Sequence, residues 1–480
     1  MSIGSPVETK LATVLQPQIQ AHPGHSGVVM LSDGRDAFAA RVLLADAAER
    51  TLDLQYYIWH ADLSGTLLFG AVHRAADRGV RVRLLLDDNA TAGLDATLAA
   101  LDAHPNIEVR LFNAFVHRRV RVLGYLTDFS RLNRRMHNKS FTVDNEVTIV
   151  GGRNVGDEYF GADQELSFVD LDVLAVGPVV QDVSADFDRY WECASSCPVA
   201  RVIRVPKPES LAALSALCAR AEHDPDAQAY VEAVARRPFV QELLAGDLAL
   251  EWVPVRLVSD DPAKGLDRVS RKELLAVRLR RIIDSPAAEL DLISAYFVPG
   301  RHATESFAGL ARGGVRVSVL TNSLEATDVA AVHAGYARRR KPLLAAGVTL
   351  FELKRTGAER GARDRVFGGS SGSSLHTKTF SVDRLRLFVG SFNFDPRSTR
   401  LNTEMGFIIE SAKLAGGTAD AFINGIPDRA YTVRLNQSGA LEWVERVDGR
   451  EIVYDRDPKT SIWLRAAVQL LSLLPIDWLL

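Results

Sequence analysis

The chain has 480 residues and a nearly balanced charge, with 57 lysines and arginines against 60 aspartates and glutamates and a formal net charge of −3. A protein that grips bare nucleic acid is more often strongly basic, so this balance disfavours that class. Three cysteines do not make a disulfide framework, and Cys193 and Cys197 with one further cysteine make a poor zinc site. The sequence opens without a signal-peptide pattern, and no uninterrupted apolar stretch reaches the roughly 18 residues expected of a spanning helix.

Strand and helix patterns alternate along the chain. Residues 52–59 (LDLQYYIW) predict a buried strand, which is followed by a helical pattern and by a second strand at residues 81–88 (RVRLLLDD). The same order returns in residues 290–323, where Tyr296 lies 239 positions after Tyr57. Alternation of this kind indicates an α/β fold in which helices cover both faces of a sheet.

The internal repeat predicts two copies of one unit. We place the first unit at about residues 30–200 and the second at 251–430, with a helical linker rich in Ala, Glu and Arg at 201–250. Residues 431–480 are predicted to form a C-terminal extension. The expected architecture is therefore two similar α/β/α sandwich units related by pseudo-twofold symmetry.

A polar motif occurs once in each copy. The segments MHNKSFTVDNEVTIVGGRN (136–154) and LHTKTFSVDRLRLFVGSFN (375–393) share His-x-Lys, an aspartate five residues after the lysine, and Gly-x-x-Asn. The matched positions, all 239 residues apart, are His137 and His376, Lys139 and Lys378, Asp144 and Asp383, and Asn154 and Asn393. We count the two aspartates with the catalytic residues as motif members, although a turn position also suits a structural task. The constant offset predicts that each copy supplies half of a single reaction centre.

The residue types in the motif indicate phosphate chemistry. His and Lys two positions apart project from the same face of a strand. Two imidazoles, two ammoniums and two amides suit an anion with several oxygens, of which phosphate is the obvious one. One histidine can attack phosphorus while the other protonates the departing oxygen, and the lysines and asparagines can stabilise charge on the non-bridging oxygens. No metal or cofactor is expected, because the protein already supplies the positive charge.

The motif and its surroundings resemble the phospholipase D superfamily, and within it the branch of bacterial cardiolipin synthases of the C type. The segments that carry the resemblance are LDLQYYIW (52–59), GVRVRLLLDDN (79–89), GYLTDFSRLNRRMHNKSFTVD (124–144), VGGRNVGDEYF (150–160), TNSLEATDVAAVHAGYARRRKPLL (321–344) and SFNFDPRSTRLNTEMG (391–406). This resemblance implies two half-sites and a phosphohistidine intermediate. It also implies that His137 is the nucleophile and His376 the acid and then the base, an assignment that the residues themselves leave open.

Each histidine needs a carboxylate that fixes its tautomer. Glu404 is expected to orient His376, because it lies where the resemblance places the superfamily's histidine-orienting acid. In the first copy, Asp170 within FVDLDV is the expected partner of His137, with Glu165 and Asp172 as alternatives.

Two features of the sequence predict contact with a membrane. Arginines crowd the approach to His137, and residues 338–341 (RRRK) form a second cluster. The first cluster comprises Arg118, Arg119, Arg121, Arg131, Arg134 and Arg135. Such clusters suit anionic headgroups, although they can also be scattered solvated arginines. The second feature is the largely apolar C-terminal segment 461–480, which could lie in the bilayer interface or dock on the enzyme's own core or on a second subunit.

Three function classes remain after these observations. The resemblance implies a phosphatidyltransferase that makes cardiolipin from phosphatidylglycerol and a second phospholipid, with phosphatidylethanolamine favoured as the donor. A phospholipase D or nuclease of the same fold would use water as the acceptor instead. A non-catalytic lipid-binding module is improbable, because both His–Lys pairs are intact. The expected partners are phospholipid substrates and an anionic membrane surface, with no nucleic acid and with an accessory protein left open. The expected location is peripheral, on the cytoplasmic side of the bacterial inner membrane.

Overall fold

A computed structural model describes residues 9–163, 167–203, 209–245, 247–283, 285–327, 329–355 and 373–473. The chain folds into two compact units. The first comprises Met1–Ala162, Asp172–Leu257 and Gly265–Asp267, and the second comprises Asp163–Leu171, Val258–Lys264 and Arg268–Leu480.

The strands are β1 (Ser26–Leu31), β2 (Thr51–Ile58), β3 (Arg81–Ala90), β4 (Ile107–Phe112), β5 (Ser140–Val143), β6 (Val147–Gly151), β7 (Ser167–Val169), β8 (Asp172–Val176), β9 (Ser196–Pro198), β10 (Glu251–Val253), β11 (Val255–Ser259), β12 (Glu289–Ser294), β13 (Arg316–Asn322), β14 (Thr349–Leu353), β15 (Ser373–Leu375), β16 (Lys378–Val382), β17 (Arg386–Gly390), β18 (Met405–Glu410), β19 (Ala430–Leu435), β20 (Leu441–Val447) and β21 (Arg450–Tyr454). The helices are α1 (Lys10–Ala21), α2 (Gly34–Ala47), α3 (Leu63–Asp77), α4 (Asp95–Asp102), α5 (Arg121–Thr127), α6 (Phe129–Leu132), α7 (Asp157–Phe160), α8 (Pro178–Glu192), α9 (Glu209–His223), α10 (Pro225–Ala235), α11 (Pro238–Ala245), α12 (Leu275–Ile283), α13 (Arg301–Arg312), α14 (Ala330–Ala337), α15 (Arg340–Ala345), α16 (Pro396–Arg400), α17 (Ala412–Asn424), α18 (Ile426–Arg429) and α19 (Ile462–Leu473).

A nine-stranded sheet forms the centre of the first unit, in the order β10-β1-β8-β6-β5-β2-β3-β4-β9. β2, β3 and β4 are parallel, whereas β5 and β6 are antiparallel to their neighbours. Helices cover both faces: Arg83 of β3 lies over Phe187 of α8 on one face, and Phe69 of α3 stacks on Trp59 on the other. Because both faces are covered, β2 is buried over most of its length, as is typical of a strand in the parallel part of a sheet.

The second unit repeats this plan on a ten-stranded sheet, in the order β11-β18-β17-β16-β12-β13-β14-β19-β20-β21. Here β12, β13 and β14 form the parallel part, and β16 and β17 form the antiparallel hairpin beside it. One face packs Leu279 of α12 and Phe307 of α13 into a core cluster with Leu292. On the other face, Phe422 of α17 packs against Phe351. The predicted α/β class, with one large helix-covered sheet in each of two units, is therefore confirmed.

Three segments lie differently from the boundaries placed on the sequence. Asp163–Leu171, which we expected in the first unit, belongs to the second. The helices predicted as a linker over 201–250 pack on the first unit, where the Tyr230 hydroxyl donates to the Phe160 carbonyl at 2.9 Å. The extension predicted from residue 431 begins with β19–β21, which continue the second sheet beyond β14. Strand pairing places the first and the third of these segments. Sequence periodicity does not report which strands pair.

The terminal helix α19 has two apolar faces with different surroundings. Val468 is buried in a cluster with Leu324 and Ala334, and the other apolar residues packed there include Leu464. The opposite side exposes Trp463, whose relative accessibility is 81%, together with Ile462, Leu470 and Leu473. No helix in the described part of the chain is both long and apolar enough to cross a bilayer.

Candidate active site

The first motif sits at the start of β5, beside β2 in the middle of the first sheet. His137 and Lys139 are 7% and 1% exposed. The lysine ammonium donates to the backbone carbonyl of His137 at 2.7 Å. This bond ties the lysine side chain to the backbone that carries the histidine. A buried ammonium is costly unless it is paired, and an anion placed beside it gains correspondingly more than it would in water.

Tyr57, at the end of β2, completes the surroundings of His137. Its ring meets the imidazole edge-on, with the centroids 5.0 Å apart, and lies 5.5 Å from the Lys139 ammonium. The Tyr57 hydroxyl accepts from Asn89 at 3.3 Å. Tyr57 is not among the site residues predicted from the sequence, although its 239-residue offset from Tyr296 matches that of the motif residues.

Asn154 lies at this end of the same sheet and is fully buried. Its side-chain oxygen accepts from the backbone amide of Ile58 at 3.2 Å, and its amide donates to the Tyr159 hydroxyl at 3.0 Å. The side chain therefore joins the end of β2 to the turn after β6. One amide hydrogen remains for a phosphate oxygen, because the amide group has two.

The second motif has the same form at the start of β16. His376 and Lys378 are 7% and 1% exposed, and the lysine ammonium donates to the His376 carbonyl. The Nδ1 atom of His376 lies 2.5 Å from Oδ2 of Asp170 and 3.0 Å from the Lys378 nitrogen. The carboxylate is the closer of the two partners and can only accept, so we assign a proton on Nδ1 that faces Asp170, which leaves Nε2 as the nitrogen open to proton exchange.

The placement of Asp170 corrects the expected partner of His137. β7 pairs in parallel with β15, and their last residues, Val169 and Leu375, lie opposite each other. The residues that follow the two strands, Asp170 and His376, therefore come side by side. The backbone amides of His376 and Thr377 both donate to the Val169 carbonyl, at 2.8 and 3.0 Å, and so fix that register. The carboxylate assigned from the sequence to the first histidine therefore orients the second one.

Glu404 occupies a different position from the one expected beside Nδ1 of His376. Its carboxylate is fully buried and accepts from the hydroxyls of Ser391 and Ser398. Its backbone amide donates to Asp260 at 3.1 Å, which itself pairs with Lys264 at 2.8 Å. Burial raises the pKa of Asp260, against the attraction of that lysine.

The two alternatives to Asp170 do not replace it. Asp172 accepts from the Arg41 guanidinium at 2.8 Å and from the Arg153 amide at 3.1 Å, which makes it a buried structural ion pair. Glu165 lies outside the described residues. Asn393 is buried at the end of β17, and its backbone amide donates to Ser398 at 3.3 Å.

Asp144 and Asp383, which we counted with the catalytic residues, both accept hydrogen bonds from backbone amides. Asp144 accepts from the backbone amides of Glu49, Arg50 and Thr51 at 2.7–2.9 Å, and so ties the β5–β6 turn to the start of β2. Asp383 does the same to the amides of residues 287–289. A strand rises about 3.3 Å per residue, so roughly 16 Å separates Asp144 from Lys139. These contacts and this spacing favour a structural role for the two aspartates, as turn residues that hold the hairpin to the neighbouring strand.

The arginines expected to face headgroups are mostly used inside the protein. Arg118 pairs with Asp88 and Asp95, and Arg121 donates to the carbonyls of Asp88 and Asn89. The other pairs of the first cluster are Arg131 with Asp128, Arg134 with Asp267 and Arg135 with Asp87. In the second cluster, Arg340 is buried between Glu352 and Asp457. These contacts hold loops in place and neutralise the arginines that make them.

Two further groups of side chains are close enough to hold a metal ion, among the residues that the structure describes. They are His73, Asp77 and His104, and His60, Asp62 and Glu158. In the first group, Nδ1 of His104 accepts from the Asn106 amide at 3.1 Å, so Nε2 carries the proton and faces Asp77. In the second, the hydrogen bond with Glu158 raises the pKa of His60, and Asp62 caps α3. Internal hydrogen bonds account for both groups.

Two α/β units that each begin a central strand with a buried His-x-Lys pair define a protein of the phospholipase D superfamily. The family described as "Cardiolipin synthase, PLD-like domain" matches residues 43–191 and 279–424. The chain belongs to that family.

Relatives cover nearly the whole chain. Cardiolipin synthase C of Escherichia coli (strain K12) is 54% identical over 472 residues, which is 98% of this chain and 100% of the relative. An uncharacterized protein of Helicobacter pylori (strain J99) is 30% identical over 98% of this chain and 93% of its own length. The crystal structure of phosphatidylserine synthase from Haemophilus influenzae Rd KW20 has the same fold, with a TM-score of 0.56, 13% identity and coverage of 87% of this chain and 92% of that one.

Proposed function

We propose that this protein is a phosphatidyltransferase that makes cardiolipin from phosphatidylglycerol and a second phospholipid, with phosphatidylethanolamine as the favoured donor. The observation that carries the proposal is the 54% identity, across 98% of the chain, to a protein named cardiolipin synthase C. Both His–Lys pairs are present and buried, which the chemistry requires.

The proposed reaction has two steps on one phosphodiester. His137 attacks the phosphorus of the donor, the bond from phosphorus to the headgroup oxygen breaks, and His376, which enters this step as the imidazolium, gives that oxygen the proton on Nε2. A hydroxyl of phosphatidylglycerol then gives its proton to His376 and attacks the phosphohistidine. This second attack releases His137 and forms cardiolipin. Lys139 and Lys378 stabilise the charge that develops on the non-bridging oxygens.

Asp170 supports the acid and base roles proposed for His376. A carboxylate on Nδ1 stabilises the imidazolium, which must form when His376 takes a proton from the acceptor. It also leaves Nε2 as the atom that exchanges protons with substrate. Asn154 and Asn393 are proposed to bind the phosphate oxygens, and Glu404 is proposed to act as a buried support of the second half-site through Ser391 and Ser398.

The substrates place the reaction at a lipid surface. We propose that the protein is peripheral, on the cytoplasmic side of the inner membrane, and that it takes both lipids from the bilayer. Because most arginines of the first cluster are paired internally, apolar contact is expected to contribute more to that association than headgroup charge does.

A product analysis tests the proposal. The full chain is incubated with labelled phosphatidylglycerol in mixed micelles, with and without phosphatidylethanolamine, and the lipids are separated. We expect labelled cardiolipin, at a higher rate when phosphatidylethanolamine is present. Phosphatidic acid as the main product would show that water is the acceptor, and the protein would then be a hydrolase.

Trapping the intermediate tests the roles of the histidines. We expect His137→Ala to abolish turnover, and His376→Asn to slow release enough that a phosphorylated His137 accumulates and can be seen by mass spectrometry. EDTA should leave the wild-type rate unchanged, because the charge is supplied by side chains. A mass shift on His376 in the His137→Ala protein would reverse the assignment.

A further inference from the structure

One segment of the first unit exposes far more apolar surface than its surroundings. Residues 116–129, here called the apolar lobe, carry six of the seventeen large apolar side chains that are exposed in the described parts of the chain. They are Val116, Val120, Val122, Leu123, Leu126 and Phe129. Val122 is 64% exposed and Leu126 is 79% exposed. A contiguous patch of this kind marks an interaction surface.

Two arginines of the lobe, Arg118 and Arg121, turn inward and hold it in place. Arg118 pairs with Asp88 and Asp95, and Arg121 donates to the Asp88 and Asn89 carbonyls at 2.8 and 2.9 Å. Gly124 packs closely on Phe115 and Leu132, where an added Cβ would come within 2.9 Å of Leu132. Arg118 and Arg121 therefore fix the lobe to the rest of the unit, while its apolar side chains remain in solvent.

The lobe is connected to the first half-site. The Tyr125 hydroxyl donates to the Asn89 side chain at 2.8 Å, and Asn89 donates to the Tyr57 hydroxyl at 3.3 Å. Tyr57 in turn lies against His137, with ring centroids 5.0 Å apart. Two hydrogen bonds, from Tyr125 to Asn89 and from Asn89 to Tyr57, thus connect the lobe to the ring that packs on His137.

We propose that the apolar lobe inserts into the hydrocarbon boundary of the bilayer and brings the phosphodiester of a membrane lipid to His137, an inference that rests on the proposed function. Apolar side chains gain free energy by leaving water for the interface, and Arg118 and Arg121 are already engaged within the protein. Insertion by the lobe is therefore expected to depend little on salt or on the fraction of anionic lipid. The continuity with Tyr57 and His137 favours a lipid over a protein partner, since the substrate of that half-site is itself a lipid.

The test compares a double variant, Val122→Asp with Leu126→Asp, with a matched control, Val14→Asp. Val14 is 56% exposed on α1, which packs near the start of β2, at the end of the sheet opposite His137. Vesicle flotation at low and high salt measures binding. Cardiolipin formation is measured on vesicles and, separately, in detergent mixed micelles, and the melting temperature reports folding.

We expect the double variant to lose about tenfold or more in vesicle binding and vesicle activity, at both salt concentrations, while micelle activity stays within about twofold and the control resembles wild type. Unchanged flotation would overturn the inference, as would an equal loss of activity in micelles and vesicles with normal binding. Light scattering tests whether wild type self-associates through the lobe. Self-association that is lost in the double variant, with unchanged flotation, would identify a second copy as the partner instead. If wild type floats through the lobe but makes no cardiolipin in either form, the proposed function fails and the inference about binding stands.

Discussion

The residue with the clearest new position is Asp170, whose carboxylate lies 2.5 Å from Nδ1 of His376. The contact is buried on both sides, so it is shielded from the solvent that weakens surface ion pairs. Its effect is to choose the tautomer and to stabilise the charged imidazole, which leaves Nε2 as the nitrogen proposed to exchange protons with substrate. Asp170 is a positioning residue, because it acts through the histidine, and its second oxygen is itself held by the Leu171 amide at 2.8 Å.

Asp170→Asn should therefore reduce turnover without removing substrate binding. We expect kcat to fall by about 10- to 100-fold, as is typical when the group that orients a functional histidine is lost, with KM changed little. Steady-state kinetics on mixed micelles measures both constants. The matched variant Asp172→Asn should instead lower the melting temperature, because Asp172 pairs with the buried Arg41. A rise in KM alone would show that Asp170 serves binding rather than proton transfer.

Asp383 provides a prediction about stability. It accepts hydrogen bonds from three successive backbone amides, at residues 287–289, and Asp383→Ala leaves them without that acceptor. We expect a loss of about 1–3 kcal/mol of unfolding free energy, measured by denaturant titration, while the kcat of the folded protein is kept. A variant with full stability and no activity would return this aspartate to the catalytic group.

The same residue predicts a pH dependence. Burial works against the charged form of Asp383, but hydrogen bonds from the Ala287, Glu289 and Ala288 amides outweigh it and lower its pKa. A lowered folded-state pKa means that the stabilisation is present above the unfolded value of about 3.9 and is lost as the pH falls through the folded value. The gap in melting temperature between wild type and Asp383→Ala should be complete at neutral pH and shrink in acid below about pH 4.

At the scale of elements, the pairing of β7 with β15 and the docking of α19 matter most. The first brings Asp170 to His376 by register alone. The second divides the apolar surface of the terminal helix into a face packed on α14 and a face in solvent. The segment before α19 is held as well, since Asp457 accepts from the buried Arg340 at 2.8 Å. That guanidinium holds the pKa of Asp457 well below its usual range, against the effect of burial.

Two substitutions in α19 should separate folding from membrane association. Val468→Ser changes the packed face, so we expect a lower melting temperature. Trp463→Ser changes the exposed face, so we expect an unchanged melting temperature and weaker vesicle flotation, because an exposed tryptophan is well suited to the bilayer interface. Equal flotation of the Trp463→Ser protein and wild type would assign the exposed face to another role.

At the scale of the molecule, two units share one sheet order but differ in what they add to it. β8-β6-β5-β2-β3-β4 in the first corresponds to β18-β17-β16-β12-β13-β14 in the second. The first unit adds the apolar lobe, which is linked to its histidine through Asn89 and Tyr57. The second unit adds Asp170 and the Phe168 ring, whose centroid is 5.2 Å from that of His376. The half-sites are thus built alike and surrounded differently, which fits unequal roles for the two histidines.

The sequence by itself determined the repeat, the α/β class and the two His–Lys pairs. A fixed offset between polar residues and an alternation of strands and helices are patterns of the sequence itself, and both can be recognised without knowing any contact. It also reached the strand that carries Tyr57, because residues 52–59 are apolar or aromatic apart from Asp53 and Gln55.

Only the tertiary structure decided which acid meets which histidine, what the motif aspartates do and where the arginines point. Asp170 reaches His376 across 206 residues of sequence through a strand pairing that no periodicity encodes. Asp144 and Asp383 bind backbone amides. Every residue except proline has such an amide, so the sequence does not show which ones these aspartates bind. The arginines before His137 resemble a headgroup surface in the sequence, yet partners distant along the chain, such as Asp88 and Asp267, neutralise them. Charge and apolar patterns fix what a side chain can do, whereas its partner depends on which strands and loops pack beside it.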